Sequence, residues 1–144
     1  MKKHILFLSF LLAACMTSFG QSADPLVSRC VMNAGENARY LKDFRVQLGA
    51  GNPENDFRFK ANISLWKNTK YRFTMCNADN SKGELVLTIT DDASKTVLSS
   101  FDEKTGRSYP YVDFTCNRSG IYHLNYDFLN RQSGSGVGVV SMIK

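Results

Sequence analysis

The stretch Phe57-Arg-Phe-Lys-Ala-Asn-Ile-Ser-Leu65 alternates apolar and polar residues along its whole length. Because successive side chains of a β-strand point to opposite faces, this period of two predicts a strand with one buried and one solvated face. Phe57, Phe59 and Ile63 are therefore predicted core residues, and Arg58 is predicted to lie in solvent. Replacing Phe59 with Ala is expected to cost about 3–5 kcal/mol of stability, against well under about 1 kcal/mol for Arg58.

Segments with the same period follow this stretch to the end of the chain, separated by turn signals such as Asn117-Arg-Ser-Gly120. Roughly seven or eight short strands without helical segments between them predict an all-β fold, an antiparallel, jelly-roll-like β-sandwich over residues 43–144. A parallel α/β sheet is excluded, because its crossover connections need a dozen or more residues each. The other predicted core residues are Tyr71, Phe73, Leu85, Leu87, Phe114, Tyr122, Leu124 and Tyr126.

A different period precedes the sandwich, in residues 21–42. Asp24 followed by Pro25 is typical of a helix start, because aspartate caps free N–H groups and proline suits the first helical position. Apolar residues then recur at helical spacing, at Leu26, Cys30, Ala34, Ala38 and Leu41. The pattern predicts a short N-terminal helix, with an irregular arm packed on the core as the alternative.

Residues 1–20 have the composition of an export signal. The basic pair Lys2-Lys3 precedes an apolar stretch, Ile5–Ala14, that is too short to span a membrane. Leu12-Ala-Ala-Cys15 resembles a lipobox, at which residues 1–14 are removed and Cys15 is acylated, whereas Ser18-Phe-Gly20 resembles an ordinary cleavage site. Either site predicts an exported protein that is in the periplasm, lipid-anchored in the envelope or secreted. A lipid on Cys15 is the one membrane contact that the sequence suggests, and it requires cleavage at the lipobox.

The charge pattern argues against nucleic-acid binding. Loss of Lys2 and Lys3 with the leader lowers the formal net charge from +5 to +3, and the remaining basic residues are scattered along the chain. Nucleic-acid-binding proteins usually concentrate basic residues on one face and carry recognisable motifs. The expected partner is therefore an envelope protein or a glycan.

Cys30, Cys76 and Cys116 remain after the leader. Their wide spacing differs from that of a zinc site, whose ligands come in short pairs. Cys76 and Cys116 each end an alternating run, so we predict a disulfide between them that joins neighbouring strands and leaves Cys30 free. Three reduced, buried thiols are the alternative.

Three segments carry a resemblance to a known family. Leu65–Phe73, Leu85–Leu98 and Phe114–Leu124 resemble consecutive strand-and-turn steps of the bacterial pre-peptidase C-terminal domain and of GOLD-type sandwiches. The resemblance covers roughly residues 57–143 and implies a β-sandwich domain of an exported bacterial protein. The D-x-D-P-Y-L run of that family is replaced here by Ser81-Lys-Gly-Glu-Leu85, so the resemblance implies a fold rather than a ligand.

Trp66, Tyr109 and Tyr111 are candidate ligand-binding residues. Trp66 falls in the polar phase of its predicted strand, which makes it the best candidate for an exposed ring. Because flat exposed rings stack on the apolar faces of sugars, these three rings are candidates for a carbohydrate-binding platform. The alternative is that Trp66 caps the edge of the core.

Oxygen-bearing side chains in two loops are candidate calcium ligands. The first loop carries Asn77, Asp79 and Glu84, and the second carries Asp91 and Asp92. The first loop lacks the glycine and the glutamate that an EF-hand needs at its sixth and twelfth positions. Solvated turn residues are the alternative for both loops, and no other cofactor is indicated.

The sequence contains no complete catalytic motif. His123 and Asp127 lie four residues apart on a predicted strand, about 13 Å along it, which is too far for a catalytic dyad. We therefore predict a non-enzymatic interaction or accessory module of the bacterial cell envelope. A carbohydrate- or calcium-binding module is the second hypothesis, and a small hydrolase is the third.

Overall fold

A computed structural model of the protein describes residues 24–51 and 58–144. The predicted leader with Cys15, and the predicted core residue Phe57, lie outside the described residues. The bounds of the helix and the strands are α1 Pro25–Asn33, β1 Ala38–Leu48, β2 Phe59–Leu65, β3 Thr69–Asn77, β4 Leu85–Thr90, β5 Thr96–Ser99, β6 Phe101–Asp102, β7 Arg107–Ser108, β8 Tyr111–Cys116, β9 Gly120–Phe128 and β10 Gly134–Ile143. A short 3-10 turn, Leu129–Arg131, joins β9 to β10.

Eight of these strands form the antiparallel β-sandwich that the sequence predicts. Sheet A has the strand order β1–β10–β3–β8, and sheet B has the order β2–β9–β4–β5. Every neighbouring pair within the two sheets is antiparallel. The short strands β6 and β7 form a separate hairpin. The predicted all-β class and the short N-terminal helix are both confirmed.

The core between the sheets is formed by the residues that the period of two predicts. Seven of them are buried, namely Tyr71, Phe73, Leu85, Leu87, Tyr122, Leu124 and Tyr126. Phe59, Ile63 and Phe114 pack against this core but are only partly buried. They belong to β2 and β8, which are edge strands, so their side chains lack a neighbouring strand on one side.

Strand β10 contributes glycines where the largest core side chains need room. Gly138 faces the ring of Tyr126, and Gly134 faces the ring of Phe128. A Cβ atom at either glycine would overlap the ring that it faces. The glycines of β10 therefore let the last strand lie close against the aromatic residues of β9.

Helix α1 begins as the sequence predicts. The Asp24 carboxylate accepts a hydrogen bond from the Leu26 N–H at 3.0 Å, and Pro25 is the first helical residue. Asp24 also pairs with Arg45 of β1, which fixes the start of the helix against sheet A.

The helix ends earlier than the helical spacing predicts. Gly35 follows α1 with φ +93°, a left-handed conformation that favours glycine and stops a helix. Ala38 and Leu41, which the spacing assigned to the helix, lie in β1 because β1 pairs with β10 from Ala38 onwards. Sheet A therefore starts five residues before the predicted boundary at residue 43.

A disulfide joins Cys30 of α1 to Cys76 of β3, with Cα atoms 5.7 Å apart, and Cys116 is a buried free thiol. The predicted Cys76–Cys116 bridge is therefore wrong, and so is the alternative of three reduced thiols. Cys76 and Cys116 lie near the C-terminal ends of β3 and β8. Because these two strands are antiparallel, their C-terminal ends lie at opposite ends of the strand pair. Cys116 pairs with Thr69, seven residues from Cys76, so the two sulfurs lie on the order of 20 Å apart.

The disulfide fastens α1 over the outer face of sheet A. Cys30 and Cys76 form a buried cluster there with Val137 and Val139 of β10. The bridge indicates an oxidising compartment, as expected of an exported protein. Across residues 24–51 and 58–144, no helix has the length and apolar character needed to cross a membrane.

Arg58 is not the solvated residue that the period of two predicts. The register of β2 with β9 places it opposite Asp127, and the two side chains are only 13% and 11% exposed. Its guanidinium also donates to the carbonyl oxygens of Gly49 and Gln132. Arg58 faces the outer side of sheet B as predicted, but a buried acid and two loop carbonyls surround its charge.

Candidate binding site

Trp66 follows the last residue of β2 and is 70% exposed. The backbone N–H of Trp66 donates to the Tyr71 hydroxyl at 2.9 Å, and the backbone N–H of Lys67 donates to Ser119 Oγ at 2.7 Å. These two bonds hold the backbone at Trp66 to β3 and to the turn between β8 and β9. The indole therefore projects into solvent from a fixed backbone position at one end of the sandwich.

Ile121 is the exposed apolar neighbour of Trp66. It is 53% exposed and pairs with Ser64 on the outer face of sheet B. Because Trp66 lies two residues beyond Ser64, it is the diagonal cross-strand neighbour of Ile121, a separation of about 8 Å or less. The sequence analysis missed Ile121. The signal was there, because the outward-facing positions of β9 otherwise hold the polar residues His123, Asn125 and Asp127.

A cleft of about 440 Å³ opens at this end of the sandwich, and Ile121 is one of its lining residues whereas Trp66 is not. We call it the end cleft; it lies between the β4–β5 turn (91–95) and the β8–β9 turn (117–120), with Phe114 and Tyr122 among its lining residues. Its volume falls in the range of sites that hold small ligands or a side chain of a partner. Ile121 lines its rim, so the exposed apolar surface and the end cleft are continuous.

Charged groups of both signs stand around the end cleft. Asp92 and Arg118 form an exposed pair across its mouth at 3.5 Å. Asp91 accepts the N–H groups of Ala93 and Lys95, so its carboxylate stabilises its own turn. The lining of the end cleft is more polar than apolar, with Phe114, Ile121 and Tyr122 among its apolar contributors.

The hydroxyl of Tyr122 stays neutral in this cleft. Burial, and next its hydrogen bond with the Cys116 thiol, raise the pKa of Tyr122 to about 12. The hydroxyl donates to the Arg118 carbonyl oxygen at 2.6 Å, which ties the floor of the cleft to the β8–β9 turn. Tyr122 therefore shapes the cleft and does not titrate near neutral pH.

The structure does not bring Tyr109 and Tyr111 near Trp66. Tyr111 pairs with Thr74 at the start of β8, five residues or about 17 Å from the Cys116 end where Trp66 lies. Tyr111 carries the Arg72 guanidinium over its ring, 4.4 Å from the centroid. A platform of all three rings is thus incompatible with the strand register, and Trp66 is the member that lies at the same end of the sandwich as the end cleft.

The candidate calcium ligands are also separated. Asn77 accepts the Leu85 N–H at 2.8 Å, and Asp79 pairs with Arg29 at 2.9 Å, so both side chains hold protein groups. Glu84 precedes β4 and Asp91 follows it, which places the two loops more than about 20 Å apart. Within the described part of the chain, no group of three or more His, Cys, Asp or Glu side chains is arranged to hold a metal ion.

Comparison with known proteins assigns no family. No protein-family model matches the sequence. No curated protein matches it either. The resemblance of residues 57–143 to the pre-peptidase C-terminal domain stays a prediction, and the end cleft is characterised by its geometry alone.

Proposed function

We propose that the protein is an exported, non-enzymatic β-sandwich module of the bacterial envelope that binds a partner through Trp66 and the end cleft. One observation carries this proposal: Trp66 and Ile121 are exposed at the end of the sandwich where a cleft of ligand size opens, and Ile121 lines that cleft. Exposed tryptophan is unfavourable in water, and tryptophan is among the residues that contribute most to binding when a partner covers them.

The rest of the molecule supports this choice of surface. On the outer face of sheet A, α1 packs against β3 and β10 and is held there by the Cys30–Cys76 disulfide. Asp92 and Arg118 of the end cleft supply charges that select a partner, and the exposed side chains of Trp66 and Ile121 supply apolar contact area. The predicted leader and the disulfide both support export, so we expect the partner to be in the envelope.

Site-specific photo-crosslinking in cells that export the protein tests this proposal. A benzophenone amino acid placed at Trp66 or Ile121 is expected to give discrete adducts under ultraviolet light. Lys104, in the exposed turn of the β6–β7 hairpin, is the matched control position and is expected to give none. Equal labelling from Lys104 and Trp66 would contradict the proposed surface.

A glycan ligand is the second candidate, and the polar groups beside Trp66 favour it. Asn117, Arg118 and Ser119 offer amide, guanidinium and hydroxyl groups to sugar hydroxyls next to the exposed indole. Trp66 is the one tryptophan of the chain, so its fluorescence reports on this site alone. Soluble peptidoglycan fragments are expected to shift its emission to shorter wavelength if the ligand is a glycan.

These two experiments together decide the proposal. Crosslinks to protein without a fluorescence shift indicate a protein partner, and a shift that Arg118→Ala weakens indicates a glycan. If position 66 gives neither adducts nor a shift, the end cleft is not a binding surface and the proposed function fails.

A further inference from the structure

The end cleft and Asp24, the first residue that the structure describes, lie at opposite ends of the sandwich. Trp66 precedes β3 at its Thr69 end, where Thr69 pairs with Cys116 of β8. Asn77 ends β3 eight residues after Thr69. Because a strand rises about 3.3 Å per residue, the two ends of β3 are about 26 Å apart.

Helix α1 begins at the Asn77 end of this strand. Arg29 of α1 donates to the Asn77 carbonyl oxygen at 2.7 Å. Asp24, at the start of the helix, pairs with Arg45, which lies in the same cross-strand row of sheet A as Cys76. The chain therefore enters the sandwich at the end remote from the end cleft.

The predicted lipid site is close to this entry point along the chain. Cys15, the cysteine of the lipobox, is nine positions before Asp24. Nine residues span at most about 32 Å when fully extended. A lipid on Cys15 therefore keeps the α1 end of the sandwich close to the membrane, whereas the end cleft reaches that membrane only if these residues stretch along the whole sandwich.

We propose that the lipid of Cys15 anchors the α1 end of the sandwich, so that the end cleft faces away from the anchoring membrane. About 26 Å of strand length then separates the cleft from the anchored end. Exposed tryptophan is also typical of side chains that rest in a membrane surface, but this orientation keeps Trp66 out of reach of the anchoring bilayer. The partner of the end cleft is therefore a component of the envelope outside that bilayer.

This inference rests on the proposed function, since it takes the end cleft as the binding surface, but its test needs no partner. Trp66 is the one tryptophan of the chain, so phospholipids with a nitroxide on the headgroup report how near it comes to a membrane surface. The lipidated protein is purified from the exporting cells and inserted into vesicles of these phospholipids. Its emission is expected to lose little intensity relative to vesicles without nitroxide.

A matched variant moves the single tryptophan to the other end of the sandwich. Asn80 is exposed in the loop after β3 and lines the same pocket as Asp24. Trp66→Phe combined with Asn80→Trp is expected to lose much more of its emission in the nitroxide vesicles than the wild type does. Adding Cys15→Ala to this variant removes the lipid and is expected to abolish the quenching. Circular dichroism melts verify that the variants are folded.

Three results would overturn the inference. They are equal quenching of the wild type and the Asn80→Trp variant, an Asn80→Trp variant that carries the lipid but is not quenched, and mass spectra that show no lipid on Cys15. The crosslinking experiment at Trp66 decides the proposed function separately. Adducts from Trp66 together with equal quenching at the two ends would keep the binding surface and reject only its orientation.

Discussion

Arg58 and Asp127 form an ion pair that joins the entry to β2 with β9. Arg58 donates to one Asp127 oxygen from Nε at 2.9 Å and from Nη2 at 2.7 Å, while Arg131 approaches the other oxygen at 4.0 Å. Arg58 Nη2 also donates to the Gln132 carbonyl oxygen at 2.9 Å. The guanidinium thus ties strand β9 to the loop that leads into β10.

The first prediction follows from this ion pair. Arg58→Ala leaves the Asp127 carboxylate largely buried, with the Phe128 backbone N–H at 2.7 Å and the distant Arg131, so we expect a loss of about 2–4 kcal/mol in the free energy of unfolding. Arg39→Ala, on the exposed side of β1, is the control and is expected to change stability by less than about 0.5 kcal/mol. Urea denaturation at pH 7 measures both, and equal values would mean that the Arg58 contacts are not formed.

The second prediction concerns the disulfide. Cys30 and Cys76 are 46 residues apart, and a loop of that length corresponds to about 4 kcal/mol by chain-entropy reasoning. The double variant Cys30→Ser, Cys76→Ser is expected to lose a large part of the stability of the domain. Peptide mapping of unreduced protein should recover Cys116 as a thiol, and a Cys76–Cys116 peptide would contradict the structure.

The third prediction concerns the glycines of β10. Gly138→Ala places a methyl group on the Tyr126 ring, so we expect a loss of at least about 2 kcal/mol. Gly120→Ala is the matched control, because a methyl group there meets no atom within 4 Å. Thermal melts should show a markedly lower midpoint for Gly138→Ala and a midpoint near that of the wild type for Gly120→Ala.

The fourth prediction concerns the hydroxyl of Tyr126. It is fully buried, and no described residue offers it a hydrogen bond; burial also raises its pKa, so it stays neutral. Tyr126→Phe removes an unsatisfied polar group and is expected to leave stability unchanged or raise it by about 1 kcal/mol. Tyr71→Phe removes the acceptor of the Trp66 backbone N–H and is expected to lower the stability by about 1 kcal/mol. A greater loss for Tyr126→Phe would show that its hydroxyl has a partner.

The fifth prediction is a pH dependence at Asp113. Hydrogen bonds from Arg72 hold the pKa of Asp113 below its ordinary value of 3.8. A lowered pKa in the folded state contributes stability above that ordinary value, and the contribution is lost as the pH falls through the lowered pKa.

Asp113→Asn should therefore be less stable than the wild type at pH 7, by about 1 kcal/mol for a partly exposed pair. The difference should shrink below pH 3.8. Asp79→Asn, whose carboxylate is 92% exposed, is the control and should track the wild type. Urea melts at several pH values measure the differences, and a gap that persists at low pH would contradict this account.

Much of the fold could be predicted from the sequence because the relevant signals are local. Whether Tyr71 or Arg72 points into the core depends on a period of two residues, and the first half of β3 shows that period in its burial. The second half is buried on both faces, because α1 packs against its outer side. The Asp24 cap is equally local, since it acts on an N–H two residues away. The exposure of Trp66 was predicted from the same alternation, because Trp66 falls on the polar side of the pattern of β2.

The order of the strands was decided by the tertiary structure, because one pattern of alternation is compatible with many orders and gives no distance between remote segments. The packing of α1 on sheet A sets Cys76 beside Cys30, and the pairing of β2 with β9 sets Asp127 opposite Arg58. The strand order also separates Trp66 from Tyr111 and places it diagonal to Ile121. The sequence by itself thus determined which side chains face the core, whereas their neighbours across the sheets depend on pairings between residues far apart in the chain.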